Sequence, residues 1–190
     1  GYIVTGAPDQ SSVVYDYGIY SISVNRTVVT PSNKDDVLHD GKVSYDPTND
    51  KLNVSEFYNA LTIVGNNTVD IELDGGSTNA VTGNLTVSKA HDVSASSESS
   101  YPTISSDVSI DCTGDVVIKN TGSGLSVAGS LTVANANNVT VRNTSTDNAN
   151  PVIPSTVDIT CTGDILLETA GSGFVTGALT VKKAKNVTVL

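Results

Sequence analysis

Two of the few basic side chains in this sequence stand at matching points of a repeated phrase. Lys119 and Arg142 each lie eleven residues after the start of a Val- or Leu-led segment, and Glu72 and Glu168 occupy the same point in other copies. If the copies stack, these side chains form one row. A base beside carboxylates is what polysaccharide-cleaving sites use, and it also binds acidic sugars. A solvated row of paired opposite charges fits the pattern equally, so we assign the row as a candidate ligand-binding site and assign no catalytic residue.

Aromatic side chains are concentrated in the first third of the chain, and four of them are candidates for sugar binding: Tyr17, Tyr20, Tyr45 and Tyr58. Exposed aromatic rings bury the apolar faces of neutral sugars. An acidic glycan would instead be repelled by the protein's charge unless it bound at the two basic side chains or was bridged by calcium held between protein and sugar carboxylates. No cofactor other than calcium is expected.

The two cysteines, Cys112 and Cys161, stand at equivalent points of the third and fifth copies. Neighbouring strands lie about 4.8 Å apart, so strands two steps apart hold their Cα atoms about 9–10 Å apart. A disulfide needs less than about 7 Å. The histidines, His39 and His91, are far from both cysteines in sequence, which disfavours a Cys–His catalytic pair. We therefore predict two free, buried thiols.

The elements that must position these residues follow from the repeat itself. The phrase "GSLTVANANNVTV" at 129–141 returns as "GALTVKKAKNVTV" at 177–189, with a related copy, "GNLTVSKAHDVSA", at 83–95. Successive copies begin 24, 23, 23, 26 and 22 residues apart. Their first residues are Leu61, Leu85, Val108, Leu131, Val157 and Leu179. Eight residues after each start stands another β-branched residue, a spacing that we take as invariant: Val69, Val93, Val116, Val139, Ile165 and Val187.

A third apolar segment precedes each later copy, so every unit holds three short strands joined by bends. Regular units of this length describe a solenoid, and no amphipathic run of helical length occurs between 61 and 190. We predict an all-β protein: a right-handed parallel β-helix with three-strand coils of about 22–26 residues. Asn and Asp recur in one bend of each coil, where they bond their own turn and tolerate left-handed backbone. This column predicts a side-chain ladder through Asp92, Asp115, Asn138, Asp164 and Asn186, beginning at Thr68.

The pattern of apolar and polar residues changes before the repeats. We expect a linker at 1–14, a β-rich N-terminal cap at 15–58 and the solenoid at 59–190. An open solenoid end exposes unpaired strand edges and needs covering, which is the role predicted for the cap. Gly1 and the linker at 1–14 are expected to include the remnant of a tag. Because no initiator Met is present, we expect a fragment of a longer protein, with that protein's other domains as partners.

Charge excludes two classes of partner. The sequence carries 20 acidic and 10 basic residues, a net charge of −10. No Lys/Arg-rich stripe offsets it, so nucleic acid and anionic membrane surfaces would meet net repulsion. No segment is long and apolar enough to be predicted to insert into a membrane.

The N-terminal half resembles a known group of proteins. The segment "SVNRTVVTPSNKDDVLHDGKVSYDPTNDKLNV", followed by "LTIVGNNTV" and "GNLTV", is similar to secreted bacterial surface proteins described as carbohydrate-binding-domain-containing β-helix proteins. The resemblance implies an extracellular or cell-surface location and carries no functional residue across. We expect a non-catalytic module that binds polysaccharide or a host or cell-surface glycan, or a rigid adhesin-like spacer. The alternative is a polysaccharide-cleaving, pectate-lyase-like enzyme that uses the face formed by Lys119 and Arg142.

Overall fold

The computed structural model describes residues 2–4, 13–15, 20–145, 153, 155–170 and 177–190. Within these ranges every regular element is a β-strand. In chain order they are β1 (Tyr2–Val4), β2 (Val13–Tyr15), β3 (Ser23–Val24), β4 (Thr27–Val28), β5 (Val43–Asp46), β6 (Lys51–Ser55), β7 (Leu61–Val64), β8 (Asp70–Asp74), β9 (Leu85–Ala90), β10 (Val93–Ser97), β11 (Val108–Cys112), β12 (Val116–Asn120), β13 (Leu131–Ala136), β14 (Val139–Asn143), β15 (Val157–Cys161), β16 (Asp164–Thr169), β17 (Leu179–Lys182) and β18 (Asn186–Val189).

Two eight-stranded sheets form the walls of a solenoid. Sheet I has the order β4-β3-β7-β9-β11-β13-β15-β17, and sheet II has the order β5-β6-β8-β10-β12-β14-β16-β18. From β7 and β6 onward every neighbouring pair is parallel. Single parallel bridges join Phe57, Val81, Ile104 and Val127 on a third side. The chain is therefore a parallel β-helix, and the predicted all-β fold class is confirmed.

Sheet I has the register that the repeated phrase predicts. Leu61, Leu85, Val108, Leu131, Val157 and Leu179 lie opposite one another in successive strands. The first five are buried, whereas the following residue of each strand faces outward. Alternation of apolar and polar residues buries one face of a strand, and stacking the coils joins these faces into one continuous core.

The first coil departs from the spacing that we took as invariant. Val93 in β10 lies opposite Ile71, not opposite Val69. The preceding bend is two residues longer than in later coils, and Asn66 organises it by accepting the backbone N–H groups of Thr68 at 3.0 Å and Val69 at 2.9 Å. Val69 is nevertheless fully buried, because the enlarged bend turns it inward. The prediction was wrong here, since Val69 is a buried β-branched residue of the bend and stands where the start of the strand was expected.

Successive coils also alternate between two forms of the bend that joins sheet I to sheet II. In one form the chain bulges at a residue with positive φ, namely Lys89 (57°), Asn135 (60°) or Lys183 (63°). In the other form the bend reads Cys-Thr-Gly-Asp, at 112–115 and 161–164. Cys112 pairs with Ala90, and Cys161 pairs with Ala136. The structural repeat is thus two coils, which is why the phrase at 129–141 returns most faithfully two copies later.

The N-terminal segments form antiparallel hairpins. β1 pairs with β2 within the stretches predicted as linker and the start of the cap. β3 pairs with β4, and β5 pairs with β6. β6 also pairs in parallel with β8, with Leu52 opposite Ile71 and Val54 opposite Leu73. The parallel coils therefore begin at Lys51, inside the segment predicted as cap, because β6 continues the same buried columns.

Candidate functional site

The row of charged side chains proposed from the sequence lies near the carboxyl ends of the strands of sheet II. Ser96, Lys119, Arg142 and Glu168 lie opposite one another in β10, β12, β14 and β16. Glu72 does not belong to this row, because the two-residue shift in the first coil places it opposite Ser94. Asp74 occupies the position in its place, opposite Ser96 and Ser55.

Most charged side chains around this row are already paired. Arg142 Nη2 lies 3.0 Å from Glu168 Oε2, and Glu72 forms an ion pair with Lys51. Lys119 forms no ion pair with any other residue that the structure describes. Of the two basic side chains proposed from the sequence, only Lys119 is therefore free to meet a ligand's charge.

Two depressions lie on the surface of the solenoid beside this row. One depression of about 290 Å³ is lined by side chains that include Lys42, Asn53, Ser55, Glu72 and Asp74. A second depression of about 320 Å³ is lined by Asp74, Gly76, Ser96, Ser97, Glu98, Lys119 and Thr121. Asp74 lines both, so the two depressions adjoin at this side chain. We call these two depressions together, which extend over the surface from Lys42 to Lys119, the corner groove.

An exposed aromatic ring lies beside one lining residue of the corner groove, Lys42. Tyr58 is 57% exposed. The Lys42 ammonium lies 5.7 Å from the centre of the Tyr58 ring, and Glu56 Oε2 holds that ammonium at 3.5 Å. Lys42 itself lines the groove. A cation over an aromatic face stabilises the ring's orientation, so Lys42 links the exposed ring of Tyr58 to the groove.

The other tyrosines proposed from the sequence have different positions. Tyr45 is buried, and its hydroxyl donates a hydrogen bond to Asp50 Oδ1 at 2.8 Å. Burial and this bond raise the pKa of Tyr45. Tyr20 is half-buried against it, with ring centres 4.7 Å apart. Tyr17 lies outside the described residues. Among the described tyrosines of this set, Tyr58 is the one with an exposed ring beside a groove residue, Lys42.

The Asp/Asn column forms a ladder of hydrogen bonds along the bend between the sheets. Asp92 Oδ1 accepts the backbone N–H of Asp115 at 2.7 Å. Asp115 Oδ1 accepts that of Asn138 at 3.1 Å, and Asn138 Oδ1 accepts that of Asp164 at 2.8 Å. Asn186 donates its side-chain amide to Asp164 Oδ1 at 2.7 Å. The ladder begins at Asp70, whose Oδ1 accepts from Asp92, and not at Thr68.

His91 joins this ladder at its first step. Its Nδ1 lies 2.9 Å from Asp70 Oδ1 and 3.6 Å from Asp92 Oδ1. The hydrogen bond to Asp70, together with the nearby negative charges, raises the pKa of His91. These three side chains hold ligand atoms within 4.8 Å of one another, although all are at least partly exposed. The sequence reasoning missed this contact because Asp70 and His91 belong to different coils.

The two cysteines are free and buried. Burial raises the pKa of Cys112 to about 12, and burial also raises that of Cys161. A thiol of raised pKa is a poor nucleophile near neutral pH. Each sulfur donates weakly to a glycine carbonyl in its own bend, at 3.8 Å. Both cysteines therefore pack the corner of the core.

Comparisons with known protein families, with characterised proteins and with solved structures give no match to this chain. Within the part of the chain that the structure describes, no helix has the length and apolar character needed to cross a membrane.

Proposed function

We propose that this chain is a non-catalytic extracellular module that binds polysaccharide in the corner groove. The observation that carries the proposal is the combination of two adjoining polar depressions with the exposed ring of Tyr58, which lies beside their lining residue Lys42. The resemblance to secreted bacterial surface proteins supports the extracellular location.

The groove has the chemistry that an extended glycan requires. Its wall offers hydroxyls, amides and carboxylates from successive coils, including Ser55, Asp74, Ser96 and Thr121. Sugar hydroxyls both donate and accept hydrogen bonds, whereas an aromatic ring buries the apolar face of a sugar. Because the groove crosses several coils, it suits a linear polymer better than a compact small molecule.

Replacing the aromatic ring tests the proposal. We expect Tyr58→Ala to weaken binding of the preferred linear glycan by about tenfold, since an aromatic stacking contact is worth about 0.5–1.5 kcal/mol beyond its buried area. The matched control is Tyr101→Ala, because Tyr101 is similarly exposed (61%), whereas it is the ring of Tyr58 that lies beside the groove residue Lys42. Glycan arrays identify the ligand, and calorimetry measures the affinity. If no glycan binds wild type, the rigid spacer is the better description.

A polysaccharide-cleaving activity is the alternative proposal. It is favoured by one observation: Lys119, which has no ion-pair partner among the described residues, lies opposite Arg142 and lines one depression together with Asp74 and Glu98. Incubation with a panel of polysaccharides should then release reducing ends or unsaturated products, and Arg142→Ala or Lys119→Ala should abolish the release. Unchanged polysaccharide in the presence of a measurable affinity supports the binding module.

A further inference from the structure

A row of polar side chains crosses the corner groove from strand to strand. Asp74 lies opposite Ser55 in β6 and Ser96 in β10, and Ser96 lies opposite Lys119 in β12. The backbone N–H of Ser55 donates to the carbonyl of Lys42, directly before β5, at 2.9 Å. All these residues line the two depressions. The row therefore runs across the strands and along the axis of the solenoid.

The stacking of the strands sets the spacing of this row. Neighbouring strands lie about 4.8 Å apart, so the steps from Lys42 to Lys119 together cover about 19 Å. Beyond Lys119 the row continues to Arg142 and Glu168, which pair with one another at 3.0 Å. The stretch from Lys42 to Lys119 thus offers a ligand one polar side chain about every 4.8 Å, at about five positions.

The side chains of the row favour a ligand that is rich in hydroxyl groups and carries no charge. The hydroxyls of Ser55 and Ser96 alternate with the charged groups of Lys42, Asp74 and Lys119, which themselves alternate in sign. A hydroxyl can accept a hydrogen bond from an ammonium and donate one to a carboxylate, so it suits either kind of position. A polyanion would meet Asp74 within the row and the net charge of the protein, −10.

From this row we infer that the preferred ligand is a neutral polysaccharide with an extended, ribbon-like backbone, which lies along the solenoid axis with one sugar residue beside each strand. The inference rests on the proposed polysaccharide-binding function and names its substrate class. Pyranose rings linked through opposite equatorial positions, as in β-1,4-linked glucose, mannose or xylose, advance by about one strand spacing, about 4.8 Å. A coiled or branched chain turns most of its hydroxyl groups away from such a row.

Two isomeric probes test the shape preference. Calorimetry measures the binding to the whole chain of cellohexaose, which is β-1,4-linked and extended, and of maltohexaose, which is α-1,4-linked and coiled. Xylohexaose and mannohexaose broaden the extended class. We expect the best extended hexamer to bind at least about tenfold more tightly than maltohexaose, because one or two additional hydrogen bonds usually give that ratio.

A series of chain lengths tests the orientation. For the best extended glycan, the affinity should rise by at least about tenfold from the trimer to the pentamer and then change by less than about twofold, because the row has about five positions at the strand spacing. A glycan that lay parallel to the strands would contact only one or two side chains of the row. It would reach its full affinity at the trimer.

A variant that blocks the row should shorten it. Ser96→Arg places a bulky side chain between Asp74 and Lys119, so the increase from trimer to pentamer should fall to less than about twofold while the trimer still binds. The control, Ser109→Arg, makes the same change at an exposed position of β11 in sheet I. It should leave the length dependence unchanged. Circular dichroism checks that both variants keep the fold, and the length series of the unaltered chain decides the orientation without them.

The outcomes separate this inference from the proposed function. Three results overturn the inference and leave polysaccharide binding in place: equal or tighter binding of maltohexaose, full affinity already at the trimer, or binding of charged or branched glycans on an array in preference to every extended neutral hexamer. A length dependence that survives Ser96→Arg also overturns it, because the glycan then does not follow the row. The absence of binding by every glycan overturns both proposals.

Discussion

At the scale of single residues, the short polar side chains of the ladder explain why one column of the repeat holds mainly Asp and Asn. From Asp70 to Asn138, each ladder oxygen accepts the backbone N–H of the next coil, as between Asp92 and Asp115. Gly114 allows this approach, because a Cβ there would lie 2.0 Å from Asp92 Oδ1. The ladder places several carboxylates in line, and His91 is the basic group that contacts two of them.

His91 gives the stability a defined pH dependence. Because its hydrogen bond to Asp70 raises its pKa in the folded state, the charged imidazole stabilises the fold fully below about pH 6.5, the ordinary pKa of histidine. That contribution is lost as the pH rises through the higher pKa of the folded protein. We expect His91→Gln to lower the free energy of unfolding more at about pH 5.5 than at about pH 8.5.

Chemical denaturation of both proteins at the two pH values measures this difference. The imidazole is half exposed, so solvent screening keeps the effect small. His39→Asn is the control, since His39 forms no ion pair among the described residues and its φ of 58° suits Asn. An equal loss at both pH values for His91→Gln would show that the ion pair with Asp70 does not form.

At the scale of elements, the alternation between two bend types determines how sheet I meets sheet II. Coils with a bulge carry the extra residue in left-handed backbone, and an alanine follows it into the core corner. Coils without the bulge fill the same corner with a cysteine. A cysteine is larger than an alanine and remains apolar when buried, so the two forms pack alternately along the axis.

The bulge residue Lys89 is predicted to be less favourable than glycine. Lys89 has a φ of 57°, and left-handed backbone costs a residue with a Cβ about 1–2 kcal/mol. Glycine avoids this cost, but it loses more conformational entropy on folding, which cancels part of the gain. We expect Lys89→Gly to raise the free energy of unfolding by about 0.5–1 kcal/mol. Lys119→Gly, within strand β12, should lower it instead. A destabilised Lys89→Gly protein would contradict the bulge geometry.

At the scale of the whole molecule, stability comes from columns of apolar residues that run the length of the solenoid. The same position of sheet I is fully buried at Leu131 in the interior and 41% exposed at Leu179 in the last strand of the sheet. Each coil is stabilised mainly by its neighbours. The energetic value of one residue type in one column should therefore depend on its place along the axis.

A matched pair of truncations measures this dependence. Leu131→Ala should lower the free energy of unfolding by about 2–5 kcal/mol, the usual cost of a buried leucine. Leu179→Ala should lower it by less than about 1 kcal/mol, because its side chain is already partly solvated. Denaturation followed by circular dichroism compares the two. Equal losses would show that another surface covers β17 in solution.

The sequence by itself determined the repeat, the strand positions and inward columns of sheet I, and the free cysteines, because these depend on local alternation and on the recurring start of each copy. Only the tertiary structure decided the rest. In the structure Ile71, and not Val69, belongs to the buried column of sheet II, and Asp74, and not Glu72, belongs to the charged row. The cause is the enlarged bend, which changes the register without changing the composition. The tertiary structure also buried Tyr45 and exposed Tyr58, and it assembled the corner groove from single side chains of separate coils. Such juxtapositions arise across the stacking direction, where residues far apart in the chain become neighbours.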